Sequence, residues 1–223
     1  MSKKGGIWVT LRDGRRIMIN KKNNNARKGA GDKLKNKDIQ RVKTGKEYQK
    51  KFREAKSNMA KENPKSSWRV TDDHSEKEYD DMKLFSSKGG SVFAVKKDGD
   101  IVSVCKNPGD SVRGKDLLEE AVKHGGKKLD TYEGNYGFYR KCGFEPVSWT
   151  KFNEEYAPSD WNKKRDKKEN IIFFKYTGNK YHGKNKDEER LYLKKELATF
   201  YIKNKSEEYE VASKIRDGEL NGK

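Results

Sequence analysis

Asn135-Tyr136-Gly137-Phe138-Tyr139-Arg140-Lys141-Cys142-Gly143-Phe144-Glu145-Pro146-Val147 is the stretch that decides the fold. Phe138 and Tyr139 occupy adjacent positions on one turn of a short helix, so one packs inward while the other faces a cleft. Gly143 stands where a chain leaving a helix adopts the left-handed conformation that glycine tolerates. Glu145 precedes Pro146 and is pushed out of the helical region. The stretch therefore reads as a short helix that stops at Gly143 and resumes as a strand at Phe144.

Outward from this unit the pattern is that of a packed α/β domain. Ser91-Val92-Phe93-Ala94-Val95 and Ile101-Val102-Ser103-Val104-Cys105 flank Lys97-Asp98-Gly99-Asp100, which predicts a hairpin. Residues 111–124 carry Leu117, Leu118, Ala121 and Val122 at helical spacing and stop at Gly125-Gly126. A strand is expected over residues 128–132 and a last one over residues 171–176. Upstream, Trp68-Arg69-Val70-Thr71 reads as a strand and residues 75–85 as a helix. The expected fold class is α/β (α+β), a mixed sheet flanked by helices over residues 67–178, with Leu117, Leu118, Ala121, Val122, Phe138 and Phe144 in one core. A helical tail follows over residues 179–223, in which Leu191, Leu193, Leu197, Phe200, Tyr201, Tyr209, Val211 and Ile215 predict an amphipathic helix or helical pair between residues 188 and 217.

The block 135–147 resembles the last conserved block of the GNAT superfamily of N-acetyltransferases: an Asn, Phe-Tyr on a short helix, then Gly-Phe entering a strand. The order strand, helix, hairpin, helix, strand, helix, strand over residues 68–178 is similar to the core of that fold. The resemblance implies a GNAT-like domain that binds acetyl-CoA, with Tyr139 as the catalytic acid that protonates the departing thiolate. It further implies Asn135 as a cofactor contact, and Val104, Cys105 and Lys106 on the splayed strand that pairs with the pantetheine arm. In this family a Gly-rich turn between strand and helix cradles the pyrophosphate with backbone amides. Arg113-Gly114-Lys115 begins that pattern at the right place, but the second Gly is absent and Asp116 runs straight into Leu117-Leu118, so the loop is short by several residues. Asp116 brings negative charge to the helix entrance, whereas Arg113 and Lys115 offer direct charge pairing to phosphate. The base that an incoming amine requires has three candidates by residue type: Asp130, Glu133 and Glu155.

Charge divides the chain unevenly. Residues 1–70 hold 22 Lys or Arg against 6 Asp or Glu, while residues 71–223 hold 31 against 29, so nearly all of the net +18 belongs to the first third. Ile7-Trp8-Val9-Thr10-Leu11 and Arg16-Ile17-Met18-Ile19 around Asp13-Gly14 predict a hairpin module over residues 1–20. Gly5-Gly6-Ile7-Trp8-Val9-Thr10 resembles a short module of bacteriophage head-associated proteins, which implies a phage or mobile-element setting and phage structural proteins as partners. Residues 21–66 read as a basic linker, flexible except for a thin exposed helix over residues 38–62. Arg15, Arg16, Lys21, Lys22, Arg27, Lys28, Lys33 and Lys35, with Trp8, Tyr48 and Phe52 interleaved, predict non-specific binding of nucleic acid.

Cys105 and Cys142 form no CxxC pair, and with His74, His124 and His182 they show no metal-ligand spacing, so no metal is expected and both thiols are expected buried. No apolar run is long enough to span a membrane and the N-terminus lacks a signal-peptide core, which predicts a chain in the host cytoplasm or associated with a virion. Two functions remain open at this stage: acetyl transfer from acetyl-CoA to an amine, and a non-catalytic accessory protein that keeps the fold as a scaffold beside a DNA-binding arm.

Overall fold

The computed structural model describes residues 6–10, 16–20, 38–71, 73–183 and 185–222. The chain divides into two units, Met1–Lys37 and Asp38–Lys223. In the first, β1 (Gly6–Thr10) and β2 (Arg16–Asn20) pair antiparallel, with Trp8 opposite Met18 and Val9 opposite Ile17. This is the hairpin expected around Asp13-Gly14, whose turn lies outside the described residues, as does the linker segment 21–37.

The second unit begins earlier than the sequence pattern predicts. A strand β3 (Ile39–Arg41) leads into α1 (Gly45–Glu62), whose N-terminus is capped by Thr44 accepting from the Glu47 amide at 3.2 Å. The sequence predicts a thin, exposed helix here within a linker ending at residue 66. Instead Tyr48, Phe52 and Ala55, spaced four and three apart, form one fully buried stripe. They pack with Tyr79, Leu84, Val92, Ala94, Val102 and Cys105 into a core on one side of a sheet. Sparse apolar residues suffice to bury a helix when all of them fall on one face.

Three further expectations shift for similar reasons. Residues 67–69 form a 3₁₀ turn rather than a strand, and the fully buried Trp68 lies 4.7 Å from Tyr132, ring to ring. The predicted helix over residues 75–85 is α2 (Glu76–Asp80), closed at its start by a Ser75–Glu78 capping box, followed by the strand β4 (Lys83–Ser87). Leu84 and Phe85 alternate across β4 into opposite cores, which a helix would not allow. Phe138, expected in the core, is exposed, and Tyr136 and Tyr139 take the inward positions of the short helix.

The remaining elements follow the predicted order: β5 (Val92–Val95), β6 (Ile101–Cys105), α3 (Gly114–Lys123), β7 (Lys128–Tyr132), α4 (Tyr136–Lys141), β8 (Phe144–Thr150) and β9 (Ile171–Tyr176). Gly143 has φ 93° immediately beyond α4, as the left-handed exit requires. Leu117, Leu118, Ala121 and Phe144 are buried in the core on the α3 side of the first sheet, and Val122 packs at its margin. Rather than one mixed sheet there are two antiparallel sheets, ordered β3-β4-β5-β6 and β7-β9-β8. Among the described residues they meet through a single parallel bridge, between Asp100 and Lys128. Past that bridge Ser103 takes φ 52° next to a register shift between β5 and β6, which bends β6 and ends its pairing with β7.

The tail forms two helices, α5 (Lys186–Lys203) and α6 (Tyr209–Leu220). α6 packs on β8 and β9, where Ser148 Oγ donates to the Ala212 carbonyl at 2.6 Å and the Arg216 guanidinium lies over the Phe173 ring. The α1 packing makes a direct prediction. Phe52→Ala lowers stability by about 3–5 kcal/mol in denaturant melts. Asp38–Lys223 unfolds cooperatively on its own, whereas a chain starting at Ser66 does not. A cooperative melt of the shorter chain contradicts a core role for α1.

Candidate active-site cleft

The parting of β6 and β7 opens a cleft of about 1120 Å³. Ser103 and Val104 come from β6, Asp130, Thr131 and Tyr132 from β7, Asn135 and Tyr139 from the α4 turn, and Tyr209 from the start of α6. Tyr139 is 8% exposed, its ring 5.2 Å from Phe138, 6.0 Å from Phe144 and 5.8 Å from Phe174, so its position is fixed by three aromatic neighbours. Asn135 Nδ2 donates to Thr131 Oγ1 at 3.0 Å, which ties the α4 entrance to β7.

Of the cofactor residues named from sequence, Val104 and Asn135 line this cleft together with Tyr139. Cys105 does not: strand alternation turns it to the α1 side, where burial pushes its thiol up to about 12. Lys106, Arg113, Gly114 and Lys115 sit on the β6–α3 loop and the first turn of α3, outside the cleft lining.

The base candidates separate clearly. Asp130 lines the cleft, its Oδ2 accepting from Tyr209 Oη at 3.1 Å and its Oδ1 3.9 Å from Arg216 Nη1. Glu133 accepts instead from Tyr201 Oη at 2.6 Å, and Glu155 is exposed on a 3₁₀ turn (Glu154–Tyr156). Neither lines the cleft. Tyr209 and Arg216 come from the tail, about eighty positions away, so nothing local in the sequence marks their role at Asp130.

Carboxylates occupy the loop to which the GNAT resemblance assigns a phosphate cradle. Asp116 Oδ2 accepts from the Arg113 amide at 3.1 Å and from Arg113 Nε at 2.9 Å, while Asp116 Oδ1 accepts from Nη2 at 2.9 Å. Asp110 accepts from the Val112 amide at 3.0 Å, from the Ser91 amide at 3.2 Å and from the Ser87 hydroxyl. Burial opposes ionisation of Asp110, yet the Ser87, Ser91 and Val112 donors hold its carboxyl below the usual range. Lys106 Nζ is spent on the carbonyls of Asn107 and Asp110, both at 2.8 Å. Phe138 covers Gly114, where a Cβ would lie 3.1 Å from Phe138 Cζ.

At the Asp100–Lys128 bridge an ionic network joins the two sheets to α6. Lys128 Nζ bridges Asp98 at 2.7 Å and Asp217 at 2.9 Å, and the buried Arg216 reaches Asp100 at 3.6 Å. Burial lifts Asp100 to about 6 despite the nearby Arg216.

Among the described residues no three His, Cys, Asp or Glu side chains are grouped to hold a metal ion. No described helix is long and apolar enough to cross a membrane. Of the residues assigned to nucleic acid, Arg16 lies in β2, and Arg15, Lys21, Lys22, Arg27, Lys28, Lys33 and Lys35 lie outside the described residues. No family model matches the chain, and neither a curated protein nor a solved structure matches it.

The Asp100 shift predicts a pH dependence with a definite sign. The folded carboxyl keeps its proton to about 6, whereas its ordinary value is 3.8. Its contribution to stability is therefore complete below 3.8 and lost as pH rises through about 6. Melting temperatures of wild type and Asp100→Asn, compared at pH 5 and pH 7.5, should show wild type gaining on the variant at the lower pH. An unchanged difference means that Asp100 is ionised throughout.

Proposed function

We propose that Asp38–Lys223 is a GNAT-like unit whose cleft between β6 and β7 transfers an acyl group from acetyl-CoA to an amine. One observation carries this reading: four antiparallel strands meet three more through a single parallel contact, and the strands then part around Tyr139, Asn135, Val104 and Asp130. The parted strand β6 offers backbone groups for a pantetheine chain to pair with, as an added strand would. β3 and α1 extend the likeness upstream of residue 67, giving strand, helices, three strands, helix, strand, helix and two strands.

The chemistry follows from positions. An amine attacks the thioester carbonyl, forming the C–N bond; the thiolate leaves and takes a proton from Tyr139 Oη. Asp130, held by Tyr209 and Arg216, accepts the proton that the amine nitrogen loses, directly or through water. Acetyl-CoA supplies the activated acyl group.

A second reading is favoured by the carboxylates of Asp110 and Asp116, which take up amides and the Arg113 guanidinium at the α3 entrance. A chain that fills its own phosphate cradle keeps the fold as a non-catalytic scaffold, in the setting of a phage accessory protein. Calorimetric titration with acetyl-CoA separates the two readings. Binding, together with a loss of turnover of about 10²–10⁴-fold in Tyr139→Phe at little change in affinity, supports transfer. Absence of binding at millimolar cofactor supports the scaffold.

The basic arm is read as a nucleic-acid ligand. Met1–Lys37 holds twelve Lys or Arg against two Asp, enough to neutralise several phosphates without reading sequence. Anisotropy titrations should give log affinity falling steeply with log salt. Deleting Met1–Lys37 should weaken binding and flatten that slope; an unchanged slope removes the arm from the interface.

A further inference from the structure

The arm does not hold all of the excess positive charge. Asp38–Lys223 contains 41 Lys or Arg against 33 Asp or Glu, and residues 41–65 alone contain nine against three. Six of the eight surplus charges of this unit thus lie on β3, α1 and the turn that follows. Their placement on α1 is dictated by burial. Tyr48, Phe52 and Ala55 face the sheet, so at 100° per residue Lys46, Lys50 and Lys61 fall on the opposite, outward ridge. All three are exposed, as are Lys43 and Lys65 at its two ends.

The acidic residues of the helix do not cancel this ridge. Glu47 lies on its flank, engaged by Lys51 at 3.8 Å, while Glu54 stands on the ridge between Lys50 and Lys61, where three lysines outnumber it. Lys43, Lys46, Lys50, Lys61 and Lys65 make no ion pair with another described residue, unlike Lys97, Lys141, Lys175 and Lys180, each within 3.0 Å of a carboxylate. The ridge is also rigid. Tyr48 Oη reaches the Ser103 carbonyl at 3.2 Å and packs on Tyr79, which anchors the helix to β6.

We propose that the outward ridge of α1 is a folded phosphate-binding surface for duplex nucleic acid, separate from the arm. From Lys46 to Lys61 it runs about 22 Å at 1.5 Å per residue, a length that faces several phosphates of one strand. The aromatic residues that would stack on the bases of a single strand are absent from it, because Tyr48 and Phe52 point inward. Charge without stacking groups fits the backbone of a double helix and reads no sequence.

The test compares the full chain, Asp38–Lys223, and each with Lys46→Glu, Lys50→Glu and Lys61→Glu combined, by anisotropy on a labelled duplex at several salt concentrations. Asp38–Lys223 has its own core, and circular dichroism checks that the exposed substitutions leave it folded; a Lys→Gln set repeats the test without charge reversal. Asp38–Lys223 should bind duplex and prefer it to a single strand of equal length by at least tenfold. Loss of three phosphate contacts should lower the magnitude of the salt slope by about 2.7 in both backgrounds. No binding by Asp38–Lys223, an unchanged slope, or equal affinity for single strand overturns the proposal. Binding to phosphatidylserine vesicles that matches duplex binding and is lost with the same substitutions assigns the ridge to a membrane surface instead.

Discussion

Two tyrosine hydroxyls at one serine set the geometry on which the rest depends. Ser103 sits in β6 with φ 52°, a conformation that costs about 1–3 kcal/mol for a residue with a side chain. Its carbonyl is met by Tyr48 Oη at 3.2 Å and its hydroxyl by Tyr79 Oη at 2.9 Å, both buried and both from helices packed on the far side of the sheet. The bend they stabilise turns β6 away from β7 after the Asp100–Lys128 bridge. The cleft is therefore a product of the α1–α2 core as much as of the residues that line it.

Charge joins the two sheets where they meet at the Asp100–Lys128 bridge. Lys128, Asp98, Asp217, Arg216 and Asp100 tie two sheets and the last helix into one network. Such a network costs desolvation and is retained where it fixes an arrangement. Here it holds α6 against the β7-β9-β8 sheet and so delivers Tyr209 to Asp130. Asp110 and Asp116 preorganise the β6–α3 loop with the same donors that an anion would use. Under the acyl-transfer proposal, a pyrophosphate at this loop must displace them or bind beside them.

Where local signals were strong, the elements were legible. The helix stop at Gly143, the Asp98-Gly99 turn, and the apolar stripes of α3 and β9 all follow from spacing and turn chemistry, and the structure carries them at those positions. The composition of α1 is basic and polar, so the sequence predicts a helix there but an exposed one within a linker; the three side chains that bury it are too few to move an average. The resemblance names Cys105 beside Val104, but neighbours on a strand face opposite ways, and only Val104 lines the cleft. The sequence alone does not show which face of α4 meets its partners, so the expected burial of Phe138 falls to Tyr136 and Tyr139 instead. The contribution of Tyr209 and Arg216 to Asp130 is a long-range contact, which periodicity does not report.

The proposed ligand site is the parting of β6 and β7. Amide chemical-shift mapping of Asp38–Lys223 during addition of acetyl-CoA tests it most directly. Shifts clustered at Ser103, Val104, Thr131, Asn135 and Tyr139 are expected. Shifts confined to a surface remote from these residues, with the cleft amides unmoved at saturation, would contradict it.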